Sequence, residues 1–259
     1  MFEEDYQKSK ECYHKVMAFK STTLNLSQYF EAMSGLGDIS EEQSNFVDAE
    51  KIWIELIANT TSARNSASTL LFMTKLAVAK MRNGKLGDAE ALCNDCLKND
   101  DIDVSLRLSC QGTLANIFRS QRKFSESIKA YLEVLNGTEE HTESSTALKN
   151  NLANTYYEWG KLDDAERIFR ECWTEAKLTF GEDNSSTLGA LHNLGKVLLD
   201  LKTEHSVEEG ELLLKECVLK RKKVIGLNHP HTLLTGSRER FGCRTDFKRN
   251  SAPFETSFW

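Results

Sequence analysis

Leu152-Ala153-Asn154-Thr155-Tyr156-Tyr157-Glu158-Trp159-Gly160-Lys161-Leu162-Asp163-Asp164-Ala165-Glu166-Arg167-Ile168-Phe169-Arg170-Glu171-Cys172 holds two apolar runs on either side of a glycine-containing joint. Its skeleton is Leu152-Ala153, Tyr156, Gly160, Asp164-Ala165-Glu166, Phe169 and Cys172. That skeleton returns at Leu76-Ala77, Gly84, Asp88-Ala89-Glu90, Cys93 and Cys96, and at Leu114-Ala115, Phe118, Ser127, Tyr131 and Val134. It returns again at Leu194-Gly195, Leu198, Gly210, Leu214 and Cys217, with a fainter copy at Leu36-Gly37, Asp48-Ala49-Glu50, Trp53 and Leu56. The leading leucines stand at 36, 76, 114, 152 and 194, in steps of 40, 38, 38 and 42. A period in that range marks a stacked repeat.

Each copy carries two apolar runs with helical spacing. Leu148, Leu152 and Tyr156 fall at i, i+4 and i+8, one stripe on one helix. Ile168, Phe169 and Cys172 form a second stripe beyond Gly160-Lys161-Leu162, a short joint of the αα-hairpin kind. Ala153 and Ala165 stand where two helices cross, and larger side chains there would push the axes apart. One hairpin cannot bury both stripes, whereas stacked copies bury a continuous core. The expectation is an all-α chain of antiparallel helix pairs.

This spacing resembles the tetratricopeptide repeat family, whose pattern is Leu-Gly/Ala, Tyr, Gly, Ala, Phe and Ala at fixed offsets. The resemblance covers roughly residues 3–235 and implies a right-handed superhelical solenoid. Phe180-Gly181-Glu182-Asp183-Asn184-Ser185-Ser186-Thr187 and Ile225-Gly226-Leu227-Asn228-His229-Pro230-His231-Thr232 look like the linker of kinesin-light-chain or nephrocystin-3 repeats. Gly181 and Gly226 each follow a helical run, as a left-handed C-cap glycine does. The kinesin light chain's heptad coiled coil has no counterpart, so motor association is not expected, and the linker proline survives only as Pro230.

Residues 1–20, with Tyr6, Ser9, Tyr13 and Val16, fit the second helix of a partial repeat, and residues 21–235 form an array of about five copies. A Leu-Ala pair is due at 239–240, where Glu239-Arg240 stands instead. Residues 236–259 hold no Leu, Ile or Val, but carry Arg238, Arg240, Arg244, Lys248 and Arg249 with scattered Phe and Trp259. Such an irregular basic-aromatic tail has too little periodic apolar surface to offset its ordering entropy. A truncated or alternative C-terminus on a longer array is the preferred reading, a tail docking on an acidic partner the rival. The copy at 194–217 carries an insertion: Gly195 to Gly210 is 15 residues, against 12 from Ala153 to Ala165. Thr203-Glu204-His205 then lengthens a surface turn.

A chain of 259 residues, 40% hydrophobic, can bury a large core. Its net charge of −6 argues against nucleic acid, which needs a dense basic stripe. No run of 18 apolar residues exists to span a membrane, and the acidic Met1-Phe2-Glu3-Glu4-Asp5 start has no signal-peptide core, so the expected compartment is cytoplasmic. The seven cysteines are odd in number and form no disulfide framework. Cys93, Cys96, Cys172 and Cys217 fall on the buried register of second helices, where free Cys acts as a small hydrophobe. Cys93-Asn94-Asp95-Cys96 lacks the second ligand pair of a zinc site.

Chemistry is sparse. Among His14, His141, His192, His205, His229 and His231 no pair has the i, i+4 spacing of a helical zinc site. There is no phosphate-binding Gly loop, nucleophile elbow or kinase set. Asp163-Asp164 sits at a helix start, where carboxylates favour the dipole. No catalysis, metal or cofactor is expected.

In the resembling family, second helices tile the convex face and first helices line the concave one. The positions off the Leu/Ala/Tyr stripe of the first helices are then Thr113, Asn116 and Arg119; Asn150, Asn151, Asn154 and Tyr157; and His192, Asn193 and Lys196. Asn offers donors and an acceptor and can grip a peptide amide from both sides without demanding charge. The family's similar asparagines, just before the Leu-Ala pair, hold extended peptides; Asn151 and Asn193 match that position. A carboxylate clamp is not expected, because Gly112, Asn116, Asn151, Gly189 and Asn193 fill its slots without the cations. The first copy carries Glu31, Asp38, Glu41 and Glu42 on this face and the second Lys75 and Arg82, so a ligand's basic segment would sit at the acidic end. The resemblance implies a non-catalytic scaffold or adaptor binding a protein or peptide, with no nucleic acid and no membrane. The alternatives are a regulatory repeat platform of a larger signalling or nucleotide-switch protein, and a helical-repeat enzyme subunit such as that of a prenyltransferase.

Overall fold

A computed structural model of the chain describes Glu11 and residues 26–62, 66–100, 102–226 and 232–235. The partial helix expected from Tyr6, Ser9, Tyr13 and Val16, the tail 236–259, and 227–231 of the second linker lie outside the described residues. Successive helices are α1 (Leu26–Glu42), α2 (Phe46–Ser62), α3 (Ser66–Arg82), α4 (Leu86–Leu97), α5 (Val104–Ser120), α6 (Phe124–Asn136), α7 (Glu143–Glu158), α8 (Leu162–Phe180), α9 (Ser185–Leu201) and α10 (Glu204–Ile225), with no strand among the described residues. They form five hairpins, one per copy of the skeleton. The chain divides into two compact units, Met1–Glu140 with the first three hairpins and His141–Trp259 with the last two. Within each unit every helix packs on the next, and the first helices α3 and α5, and α7 and α9, also touch.

The hairpin joints follow one backbone recipe. Ser44, Gly84, Arg122, Gly160 and Lys202 take φ of 59°, 78°, 60°, 82° and 59°. The next residue's N–H reaches back to a carbonyl of the last turn in Asn45→Ser40 (2.8 Å), Lys85→Lys80 (2.9 Å), Lys123→Phe118 (2.8 Å) and Lys161→Tyr156 (2.9 Å). This is the left-handed C-cap of a Schellman motif, which satisfies carbonyls the helix leaves open. Glycine adopts it without strain at Gly84 and Gly160. The linker glycines differ from expectation: Gly181 and Gly226 have φ/ψ of 88°/167° and 91°/165°, the mirror-extended region open only to glycine, not the left-handed helical one. Their carbonyls accept the hydroxyls of Thr187 (2.8 Å) and Thr232 (2.9 Å), which fixes the Gly-to-Thr spacing of both linkers.

The insertion lengthens a helix instead of a turn. Thr203 caps α10 in a capping box with Ser206, and α10 runs 22 residues against 19 for α8. Three extra residues make nearly one more turn, whose backbone groups bond within the helix instead of to water.

Small residues set the crossing distance. Ala49, Ala77, Ala89, Ala115, Ala153 and Ala165 are all 0% exposed. Opposite them Trp53, Cys93, Tyr131, Phe169 and Leu214 fill the same register and are at most 1% exposed. Where the first helix carries Gly, the partner leans into the missing side chain. A Cβ on Gly37 would overlap the Trp53 ring, and one on Gly195 would stand 2.8 Å from Leu214 Cγ. Gly210 lies against Gly195 itself, so a Cβ there would stand 2.9 Å from the Gly195 carbonyl oxygen. Backbone cannot yield as a side-chain tip can. We expect Gly210→Ala, and Ala165→Leu at the equivalent crossing of the fourth copy, to cost about 1–3 kcal/mol in urea unfolding. An unchanged Gly210→Ala midpoint would mean that these axes do not approach so closely.

Candidate functional site

The first-helix residues expected on the ligand-facing side divide between the units, Thr113, Asn116 and Arg119 in the first and the other seven in the second. In the second unit they assemble into two facing rows. Asn150, Asn154 and Tyr157 lie at i, i+4 and i+7 on α7; Asn193 and Lys196 lie at i and i+3 on α9, with Asp200 one turn beyond. The Asn193 amide donates to Asn150 Oδ1 at 2.9 Å. The Asn154 amide donates to the Asn150 backbone carbonyl at 3.0 Å. One step along, the Tyr157 hydroxyl donates to the Asp200 carboxylate, and the Lys196 ammonium sits 3.9 Å above the Tyr157 ring, a cation–π distance.

Hydrogen-bonding capacity remains. Among the described residues, nothing takes up the Asn150 amide protons or the side-chain carbonyls of Asn154 and Asn193. The half-buried Asn151 amide has no hydrogen-bond partner among the described residues. His192 is placed differently: at 7% exposure it lies beneath the face, between buried Leu191 and half-buried Asn193.

In the first unit the corresponding groups turn toward the protein. The Asn116 amide donates to the Gly112 carbonyl (3.1 Å), and its Oδ1 accepts from the hydroxyl of fully buried Tyr131 (2.8 Å). Thr113, 7% exposed, donates to the Ser109 carbonyl. Arg119 is half-buried in the last turn of α5, where its charge suits the helix dipole. On α1 and α3, Asp38 pairs with Lys75, Glu41 accepts the Trp53 indole N–H at 2.8 Å, and Lys75 lies 4.9 Å over that ring. Burial holds the Glu41 carboxyl above the usual carboxylate range, with the indole hydrogen bond opposing it. Asp38 and Glu41 are thus engaged internally, while Glu31, Glu42 and Arg82 are exposed.

Asp200 is the member that sequence reading missed. Its signal was present: it lies i+7 from Asn193 on the stripe that carries Lys196. A concavity of about 850 Å³ lies along α8 between His141, Arg170 and Glu175. Its half-buried charges are paired, Arg170 with Glu209 (2.7 Å) and Glu166 (2.7 Å), and Glu175 with Lys149. Among the described residues no His, Cys, Asp and Glu cluster could hold a metal ion, and no helix is long and apolar enough to cross a membrane. Two substitutions separate the two kinds of asparagine. Asn116→Ala removes the acceptor of a buried hydroxyl and should cost about 1 kcal/mol; Asn151→Ala should leave the unfolding midpoint nearly unchanged. Equal losses for the two would show that Asn151 also holds the fold.

Residues 146–185, from α7 through α8 to the first residue of α9, match the family model of the tetratricopeptide repeat. No curated protein matches the chain. Among solved structures it is similar to the TPR-like repeats of a kinesin light chain from Podosopora anserina, at 18% identity and a TM-score of 0.61, covering 78% of this chain and 98% of that one. BtubC (BKLC) of P. vanneervenii is similar at 18% identity and a TM-score of 0.57, covering 99% and 97%. The quorum sensor NprR of B. thuringiensis is similar at 16% identity and a TM-score of 0.66, covering 95% of this chain and 65% of NprR, whose structure is also known with its cognate peptide NprX. At such identities the likeness is one of fold. The chain has the all-α helical-repeat solenoid fold, with tetratricopeptide-type repeats like those of kinesin-light-chain proteins.

Proposed function

We propose that this chain is a non-catalytic interaction module that holds an extended peptide segment of a partner protein across α7 and α9. The observation that carries the reading is the Asn150–Asn193 bond, which fixes two amides side by side and leaves a donor on one and an acceptor on the other. An extended peptide offers alternating carbonyl and N–H groups at that scale, so its backbone can be held whatever its side chains. Asn151 and Asn154 add further unclaimed groups along α7. Tyr157, Lys196 and Asp200 present a mixed aromatic and charged step beside them, suited to selecting one side chain. The peptide complex of NprR, a protein of the same fold, supports the reading. The net charge of −6 favours a protein or peptide over nucleic acid, and free buried thiols suit a reducing compartment such as the cytosol.

Screening the full chain against an arrayed peptide library, then measuring the best ligand by fluorescence anisotropy, tests this. In Asn150→Ala/Asn151→Ala/Asn193→Ala the affinity should fall at least about tenfold, roughly 1.4 kcal/mol, while the circular dichroism spectrum is retained. Affinity unchanged in that variant would remove α7 and α9 as the binding face.

A further inference from the structure

The step beside the Asn150–Asn193 pair has an inner and an outer end. Lys196 and Tyr157 are half-buried, with the ammonium over the ring, and the phenol gives its one proton to Asp200. Asp200 is exposed, and among the described residues it forms no ion pair. Lys196 stands four residues before it on α9, the order in which a base and an acid pair less well along a helix. A carboxylate that accepts one phenol proton still has lone pairs on both oxygens.

The position of this carboxylate is unfavourable for its own helix. A helix C-terminus is the negative end of the dipole and favours cations. The first helices α3 and α5 follow that preference, with Lys80 and Arg82, and Arg119, in their last turns. The last turns of α7 and α9 hold no basic residue. Instead α7 ends on Glu158 and α9 carries Asp200 one residue before its end, both exposed. The Tyr157–Asp200 bond brings these two negative ends side by side.

We propose that Asp200 selects a basic residue: the peptide held at the Asn150–Asn193 pair carries an arginine or lysine whose cation pairs with Asp200 at the C-terminal end of α7 and α9. This rests on the peptide-binding reading above and adds the chemistry of the side chain chosen. Asn193 and Asp200 stand seven residues apart on α9, about 10 Å of helix axis. A peptide backbone at the asparagines therefore reaches the carboxylate only through a long side chain. Helical side chains lean toward the N-terminus, which brings Asp200 and Tyr157 back toward the asparagines. Arginine is the better fit, since its planar fork can take both carboxylate oxygens while the phenol keeps its own lone pair. The phenol also holds the carboxylate in place, so less rotamer freedom is lost on pairing. An acidic ligand residue would meet Asp200 and Glu158 before the half-buried Lys196.

The test uses the full chain and a synthetic positional-scanning library of decapeptides, with one position at a time fixed as Arg, Lys, Glu or Ala. Peptides retained by the immobilised protein are identified by mass spectrometry and remeasured by fluorescence anisotropy. The expected result is enrichment of Arg or Lys at one position, where replacement by Ala weakens binding about tenfold. In Asp200→Asn, whose amide oxygen can still accept the Tyr157 hydroxyl, that Arg-to-Ala ratio falls to near one. In Asp200→Lys, Glu becomes the preferred residue there. Each ratio compares two peptides on one protein, so a lower yield of folded variant cancels. No basic preference in the wild type, or one that persists in Asp200→Asn, overturns this proposal; loss of binding in Asn150→Ala/Asn151→Ala/Asn193→Ala would then leave the asparagine reading standing. A library from which nothing is retained, or binding that survives that triple variant, overturns both.

Discussion

The distance between the two helix axes of a hairpin is the constraint on which the rest depends. It is fixed by one small residue on the first helix and one on the second, and all the alanines at these positions are sealed from solvent. The large residue beside them then takes whatever space remains. With Ala77 the partner is Cys93, with Ala115 Tyr131, with Ala153 Phe169. With Gly37 and Gly195 the partners Trp53 and Leu214 push into the volume a Cβ would occupy. The copies therefore vary their side chains while conserving a crossing, as close-packed interiors require. Spacing that close lets successive first helices touch, and so brings Asn150 within hydrogen-bonding range of Asn193.

Between copies the apolar contact is supplemented by a carboxylate clasp. Glu50 on α2, 6% exposed, accepts from Asn83 (2.6 Å) and Lys85 (2.8 Å) at the next hairpin's joint. Glu90 on α4 repeats the arrangement with Gln121 (2.8 Å) and Lys123 (3.9 Å). These partners hold the Glu50 carboxyl below its ordinary range although burial pulls the other way. A carboxylate so shielded is worth having only when its lone pairs are filled, and here donors from the joint fill them. The fourth copy changes the device: Arg170 bridges Glu166 and Glu209, which sits in the lengthened start of α10.

The period, the small residues and the buried thiols were legible because each is a local spacing with one physical cause. The joints were legible only in part. Gly84 and Gly160 announced them, but Ser44, Arg122 and Lys202 adopt the same positive φ with no glycine to signal it, held by the helices on either side. The insertion was visible as a count and misplaced as a loop, because Thr203 and Ser206 are as good a helix start as a turn. Asn116 looked equivalent to the asparagines of α7, yet its fate depends on Tyr131, a residue on the other helix of its hairpin. Asp200 likewise finds its partner, Tyr157, on another helix, where a sequence period has nothing to say.

In the proposed reading the first helices both pack the core and face a ligand, and their back-bonding separates the groups that suit each task. Ser40, Thr74, Thr113 and Thr155 donate their hydroxyls to the carbonyls of Leu36, Leu70, Ser109 and Asn151, each four residues earlier. A hydroxyl has one proton, so once turned back on the helix it offers a ligand no donor. Asn154 makes the same bond to Asn150 and still keeps one N–H and its carbonyl. An amide can therefore be anchored to its own helix and present a fixed, oriented pair of groups outward, with little rotamer entropy left to lose on binding. Serine or threonine anchored in that place could still accept, but would have no donor left for a ligand. That difference is the physical reason for reading the asparagines of α7 and α9, and not their hydroxyl-bearing neighbours, as the surface built to hold a peptide.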